Sequence, residues 1–514
     1  MRIRRILGVL ILLVIVFIAV IIVKTLTFPF YKPPLKHSAA LETPFAELSL
    51  KRLQDGLRIP TISQPAPTPE NMRPFVNFKD YLTEAYPNIH AAMQTDTVNT
   101  YGLLFRWPGS DPTLPPFLIT AHYDVAPVPG YDAALPATFG ELVFRPGDNL
   151  AAPIDKFQTE WEFAPFSGAV ANGRIYGRGT LDDKAQLFAI LEAAEALIAE
   201  DYQPRRDIWF AFGHDEEIGG QDGALQMANY FEAQGLYFDA VHDEGGVITS
   251  LAMISPKAVR PVAVVGVAEK GFLVVKITVN GPGGHSSMPP RNASIVQAAE
   301  IVAKLNANQM PAKITPPIAA FLERAGGEMG FGARMAIANQ WLLRPAIIKI
   351  MTKAPPANAL LRTTTAVTMI KGGDAPNVLS PATEIIVNFR ILPEDTPEDV
   401  LAHVEAICAG YDVKIEAMGA PRTASKISPS DSAFFQAVES SVLELYPDGI
   451  VSPYITIAST DAIKYELVSD NVYRFMPAFL NQYELALMHG VNEHISIENY
   501  SNMIRYYQRL MQNY

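Results

Sequence analysis

The run Ile208-Trp209-Phe210-Ala211-Phe212-Gly213 passes without a break into His214-Asp215-Glu216-Glu217. A short, aromatic-rich apolar run predicts a buried strand. Four ionisable residues at its end are costly to place unless they are paired or bound to a cation. Any fold for this chain must therefore carry a sheet whose strand ends open onto a polar cleft. The same construction recurs, with Phe117-Leu118-Ile119-Thr120-Ala121 leading into His122-Tyr123-Asp124, and Phe238 to His242 leading into Asp243. In open α/β sheets, ligands bind beyond the carboxyl ends of the strands.

Helical spacing of Leu187, Phe188, Leu191, Ala194, Leu197 and Ile198 predicts a helix from Asp182 to Glu200, and another is expected over Gln221 to Gln234. Strands alternating with helices indicate an α/β fold with a mostly parallel central sheet. After about Gly266 the pattern changes. Strands are expected at 271–279, 363–370, 384–392 and 413–417, with helices at 292–306 and 396–409, which is the βαββαβ order of a ferredoxin-like domain. The expected organisation is a catalytic domain over 46–265 and 421–514, interrupted by a smaller lid or dimerisation domain over 266–420. A helical insertion is expected at about 309–361, as core, substrate wall or membrane-facing surface.

With 514 residues, 49% apolar and 18% charged, the chain is a folded protein of more than one domain. A net charge of −12 excludes a nucleic-acid partner. The single cysteine, Cys408, excludes internal disulfides and a zinc-thiolate site, and reads as a buried thiol in a helix. At the N-terminus, Arg2, Arg4 and Arg5 precede an apolar run from Ile6 to Val23, closed by Lys24. At about 1.5 Å per residue that run spans roughly 27 Å, close to a bilayer core. No small-residue cleavage site follows, so residues 1–24 are expected to be an uncleaved signal anchor. Residues 25–45, with Pro29, Pro33, Pro34 and Pro44, are expected to form a stalk. The arginines favour a single-pass protein whose body lies on the non-cytoplasmic side, although Lys24, Lys32 and Lys36 weaken the asymmetry.

His122 and Asp124 stand two apart, hence on one face of a strand, and a metal-bound imidazole usually gives its other N–H to a carboxylate. Asp182-Asp183 opens the long helix. Asp183 suits a cap, whereas Asp182 is read as a carboxylate that bridges two cations. Of Glu216 and Glu217, one is suited to bind metal and the other to accept a proton from water. Asp243 and His489 complete the set, with His242 read as structural and His494 as a surface or outer residue. Oxygen and imidazole donors suit zinc or another divalent first-row metal. Two such ions would lower the pKa of a bridging water and polarise a carbonyl.

The series His122-x-Asp124, Asp182, Glu216-Glu217, Asp243, His489 resembles that of dinuclear zinc exopeptidases related to carboxypeptidase G, aminoacylase and succinyl-diaminopimelate desuccinylase. Gly213 to Glu217, Asp243 to Gly246, Gly283-Gly284-His285-Ser286-Ser287 and His489 to Glu493 carry the likeness. It is strongest to carboxypeptidase S and the secreted N-fatty-acyl-amino-acid hydrolase/synthase. The resemblance implies two Zn²⁺ per chain, with Co²⁺ or Mn²⁺ as substitutes. It implies His122 and Asp243 on one ion, Glu217 and His489 on the other, and Asp182 bridging through a cis peptide to Asp183. Asp124 would orient His122, Glu216 would act as general base, and His285 would stabilise the oxyanion. Asn377 and Arg390 would hold a substrate carboxylate. Ala458-Ser459 before Thr460-Asp461 departs from the glycine-rich pattern of relatives.

The expected activity is hydrolysis of an amide next to a free carboxylate, in dipeptides or N-acyl amino acids, with a homodimer through the lid as a family possibility. A zinc aminopeptidase without an inserted domain is disfavoured, because a whole βαββαβ module fits between Asp243 and His489. A non-catalytic binding protein on the same fold predicts a missing ligand or base, and none is missing.

Overall fold

The computed structural model describes residues 2–32, 47–128, 161–250 and 260–514; residues 33–45 of the expected stalk lie outside these. In chain order the elements used below are helix α1 (Arg2–Leu26), strands β1 (Gln94–Val98), β2 (Gly102–Trp107) and β3 (Phe117–His122), helix α2 (Lys184–Ala199), β4 (Ile208–Gly213), helix α3 (Ala224–Ala233), β5 (Ala240–Ser250) and β6 (Pro261–Glu269). The smaller unit follows with β7 (Gly271–Asn280), α4 (Ser294–Ala307), a group of four helices, α5 (Pro316–Gly326), α6 (Phe331–Ala338), α7 (Gln340–Met351) and α8 (Pro355–Leu361), then β8 (Thr364–Gly372), β9 (Ala382–Ile391), α9 (Pro397–Cys408) and β10 (Val413–Arg422). The chain closes with β11 (Ile450–Thr456), β12 (Val472–Phe479) and α10 (Ile497–Asn513).

Two compact units result. One comprises 32–267, 428–453 and 460–514; the other comprises 1–31, 268–427 and 454–459. In the larger unit, the described strands form a sheet in the order β1-β2-β4-β3-β5-β12-β6-β11. Its centre is parallel, with β3 against β4 and β5, and β12 against β5, while β1, β2 and β6 pair antiparallel. This is the α/β arrangement expected from the alternating pattern. β3 is buried along its whole length and β4 nearly so, as central strands covered on both faces require. Helix α2 is buried on almost every side. Its polar residues are therefore partnered: Lys184 Nζ donates to the carbonyls of Gly56 and Ile59, and Glu192 accepts from Ser49, Arg52 and Tyr86.

The smaller unit carries an antiparallel sheet in the order β8-β9-β7-β10, the ferredoxin-like order. Burial alternates residue by residue along β7, so Leu273, Val275, Ile277 and Val279 share one face with Ile385, Val387, Phe389 and Ile391 of β9. Helices α4 and α9 cover that face, and Cys408 is buried in the same core. The expected insertion carries four helices, α5 to α8, after an irregular stretch over 309–315. Helix α1 packs on α6 within this unit.

Strand β5 runs on through Asp243-Glu244-Gly245-Gly246 to Ser250, past the expected end at His242. Its register with β12 shifts between Asp243 and Gly246. Gly246 has no room for a side chain: a Cβ there would lie 1.8 Å from the Val264 carbonyl oxygen of β6. Gly246→Val is expected to destabilise the protein by about 3 kcal/mol or more, through overpacking against backbone. Thermal unfolding checks this; an unchanged melting temperature would contradict the packing described.

Candidate metal centre

The centre lies wholly in the larger unit, at the carboxyl ends of β3 and β4 and around the irregular turn of β5. Asp124 organises it. His122 Nδ1 lies 3.2 Å from Asp124 Oδ1, so the carboxylate orients the imidazole. The backbone N–H groups of Glu216 and Glu217 donate to the two oxygens of the same carboxylate, each at 3.1 Å, and Ser63 Oγ donates at 2.7 Å. The strand thus ends in a 3₁₀ turn over Glu216–Ile218 that is tied to the residue orienting the histidine. Gly220, at φ +63°, closes the turn against Asp461, where a Cβ would collide with the carboxylate.

Asp182 joins two groups of donors. Its Oδ1 lies 2.8 Å from His122 Nε2, and its Oδ2 lies 2.9 Å from His489 Nε2. The peptide between Asp182 and Asp183 is cis. Glu217 Oε2 is 3.2 Å from His489 Nε2, which makes Asp182, Glu217 and His489 one possible ligand group. His122, Asp183 and Glu244 make the other. Glu216 belongs to neither group.

Asp243 is buried, with Oδ1 accepting from Thr120 Oγ1 at 2.5 Å and Oδ2 without a hydrogen-bond partner, while Glu244, the next residue, approaches His122 Nε2 to 3.5 Å. Asp183 is the residue preceding α2, but its side chain makes no cap hydrogen bond. His242 is buried among Phe434, Phe475, Tyr506 and Tyr507, with Nε2 2.9 Å from the Tyr506 hydroxyl, consistent with a structural role. His494 is buried rather than at the surface, its Nδ1 2.7 Å from the Asn492 carbonyl oxygen.

Glu493 was not singled out by sequence reasoning. It is fully buried and accepts from the backbone N–H groups of Gly179 and Leu181 and from Arg178, whose guanidinium also donates to the His489 carbonyl. This network fixes the loop before Asp182 to the loop that carries His489. His489 itself sits at φ +58°, a strained backbone for a non-glycine residue. His285, Asn377 and Arg390 belong to the smaller unit. His285 is exposed on a two-residue strand paired with Val378–Leu379, next to Asn377, whose carbonyl accepts from the Ser286 N–H. Arg390 on β9 lies over the Phe272 ring.

The electrostatics call for cations. Burial pushes Glu216, Glu244 and Asp183 well above the usual carboxylate range, and neighbouring carboxylates push them further. Burial also raises Glu217, and lifts Asp243 to about 6 against the opposing Thr120 hydrogen bond. Burial alone would raise Asp182, but its bonds to His122 and His489 hold it below the ordinary range. Hydrogen bonds to Asp182 and Glu217 raise His489 to about 10. Among the described residues, both Asp183 oxygens and Glu217 Oε1 are buried without a hydrogen-bond partner. Orphaned carboxylate oxygens beside imidazole nitrogens are a donor set for divalent metal, and the residues fit two such ions.

Two predictions follow from this balance. Asp124→Asn replaces one of the two acceptor oxygens shared by His122, Ser63 and the Glu216–Glu217 turn with a donor and removes the charge, and metal affinity should fall roughly 10- to 100-fold in a chelator competition; unchanged affinity would contradict the role given to Asp124. In metal-free protein, Asp243 binds its proton more tightly when folded, so stability is lost as pH rises from about 4 through about 6. The contribution of His489 is present in full below 6.5 and lost as pH rises towards about 10. Both run the same way and both belong to the centre, so added divalent metal should raise the melting temperature of chelated protein more at pH 8 than at pH 5.5. An equal or smaller rise at pH 8 would contradict the charge assignment.

The comparisons agree with this geometry. Residues 151–513 match the model of peptidase family M20/M25/M40. A probable carboxypeptidase S-like protein of Dictyostelium discoideum is 33% identical over 440 residues, covering 85% of this chain and 79% of that one. An N-fatty-acyl-amino acid synthase/hydrolase of Mus musculus is 34% identical over 467 residues, covering 90% and 86%. In fold, the chain is similar to an M20 family metallo-carboxypeptidase of Sulfolobus solfataricus, with a TM-score of 0.59 at 21% identity, over 90% of this chain and 98% of that one. With its family model matched over most of its length and two groups of side chains that could hold metal gathered at one sheet edge, the chain belongs to peptidase family M20/M25/M40 and is a metal-dependent amide hydrolase.

Proposed function

We propose that this chain is a membrane-anchored dinuclear zinc hydrolase that cleaves the amide of a dipeptide or an N-acyl amino acid next to a free carboxylate. The observation that carries the reading is Asp182, whose two oxygens each reach the histidine of a different ligand group. In this reading His122 and Glu244 serve one ion, Glu217 and His489 the other, and Asp182 both. Glu244 takes the place first given to Asp243, and Asp183 supports the first group from behind. Divalent cations held there supply Lewis acidity to an attacking water and to the amide carbonyl.

The chain's own residues do the rest. Glu216, held beside the centre by its backbone bond to Asp124, has a carboxyl whose affinity for a proton is raised by burial and by Asp461, Asp182 and Asp124. A carboxylate of that kind accepts a proton from water and returns it to the leaving amine nitrogen. His285, Asn377 and Arg390 take the oxyanion and carboxylate contacts that the family resemblance implies. The names of the relatives from Dictyostelium discoideum and Mus musculus support the two substrate classes.

The anchor reading rests on α1. Among the described residues, Ile3–Leu26 is the one helix long and apolar enough to cross a membrane. Its last turns have partners inside the smaller unit: Asn339 Nδ2 donates to the Ile21 carbonyl and to Thr25 Oγ1, and both Asn339 and Thr25 are buried. A segment destined for removal has no need of such a seat, which supports retention.

Glu216→Gln should keep its metal while turnover falls by several orders of magnitude, on the order of 10³-fold. Elemental analysis beside a rate assay separates the two; a near-normal rate would remove Glu216 as the base. Purified protein should hold close to two divalent ions per chain. His285→Ala should reduce turnover with metal content intact. A hydrolysis screen of dipeptides against long-chain N-acyl amino acids, with zinc, manganese or cobalt added, identifies the substrate; activity on neither class would overturn the reading.

A further inference from the structure

Helices α6 and α7 are built as a surface for something apolar. Ile347 is the one buried residue of α7, with Leu343 and Met351, one turn to either side, half-buried. Most of the remaining circumference is exposed, including Trp341 at 57%, Leu342 at 40% and Ile350 at 65%, and Phe331 at the start of α6 is 55% exposed. Large apolar side chains this exposed, on two successive helices that pack together, are unusual on a protein that meets only water.

Three observations point to one occupant. The first is continuity with α1. Trp341 packs edge-on against Phe17, with ring centroids 5.9 Å apart, and Lys24 Nζ lies 5.6 Å from the Trp341 centroid. Trp341 therefore stands beside the end of the apolar span remote from its N-terminal arginines. The chain leaving α1 is then held by the turn after α5 and by α6: a Cβ at Gly327, which follows α5, would lie 2.4 Å from the Pro29 carbonyl oxygen, and Arg334 of α6 lies 5.2 Å over the Phe30 ring. The second is charge. Between residues 331 and 361 every charged residue is a cation, Arg334, Arg344, Lys349 and Lys353, in a chain whose net charge is −12. The third is length. Helices of eight and twelve residues are too short to cross a bilayer. Tryptophan and cations around a short apolar helix are the pattern of a segment lying in the membrane interface.

We infer that α6 and α7 seat in the interfacial layer of the same bilayer that α1 crosses. Phe331, Trp341, Leu342 and Ile350 meet the acyl chains, and Arg344 and Lys349 meet anionic headgroups. The smaller unit is then held to the membrane at two adjoining places, a span and a surface. This rests on the reading of α1 as a retained anchor, and the test separates the two.

The full chain is reconstituted in vesicles of phosphatidylcholine and phosphatidylglycerol, with and without bromine at shallow acyl positions, and tryptophan emission is compared between the wild type and Trp341→Phe. Resistance to alkaline extraction reports the anchor independently. The expected result is extraction-resistant protein in which brominated lipid quenches a component of the emission that Trp341→Phe lacks. Extraction resistance without Trp341-dependent quenching would overturn the docking surface and keep the anchor, as would shielding of Trp341 by a second copy, read as a dimer cross-linked at this face. Quenching in protein that alkali releases would keep the surface and remove the anchor. Neither signal would remove both.

Discussion

Six carboxyl groups, those of Asp182, Asp183, Glu216, Glu217, Asp243 and Glu244, crowd the carboxyl edge of one sheet, and the rest of the structure depends on how their repulsion is met. Two like charges 4 Å apart cost about 4 kcal/mol at the effective dielectric typical near a protein surface, so several together exceed what a fold of ordinary stability sustains. Two imidazoles answer part of it, since His122 and His489 each reach an oxygen of Asp182. Protonation or divalent cations must answer the remainder. That requirement explains why donors from five distant stretches of chain converge, and why they are oxygens and imidazoles with no thiolate.

The geometry is held by groups that never touch the metals in this account. The Asp124 carboxylate fixes the ring of His122 and the backbone of the Glu216–Glu217 turn, so the proposed ligand and the proposed base are positioned by one side chain. Glu493 does the same across the cleft, tying the loop before Asp182 to the loop of His489. The adjacency of Glu216 and Glu217 then gains a physical meaning. A 3₁₀ turn lets neighbouring carboxylates take different tasks, which a continued strand would forbid by sending them to opposite faces.

Much of this was legible in the sequence. Period-two burial on β7 and β9, the buried β3 and nearly buried β4, and the βαββαβ order follow from local patterns that the structure keeps. The donors His122, Asp182, Glu217 and His489 were legible because each ends an apolar strand or stands in a distinctive turn. The approach of Glu244 to His122 was not, because Asp243 and Glu244 are adjacent acids and their order in the chain does not say which one lies near the histidine. Glu493 was hidden because its partners lie more than 300 positions away in the chain. The helical insertion was legible as helix, but its partner was not: α1 is equally distant in sequence, and periodicity says nothing about what covers an apolar face.

The central claim is that the two donor groups joined by Asp182 hold two divalent ions. Anomalous diffraction at the zinc absorption edge, from crystals of the zinc-loaded enzyme, tests it directly. Two peaks are predicted, one among His122, Asp182 and Glu244 and one among Asp182, Glu217 and His489. A single peak, or peaks bound by Asp243 with Glu244 turned away, would contradict the account.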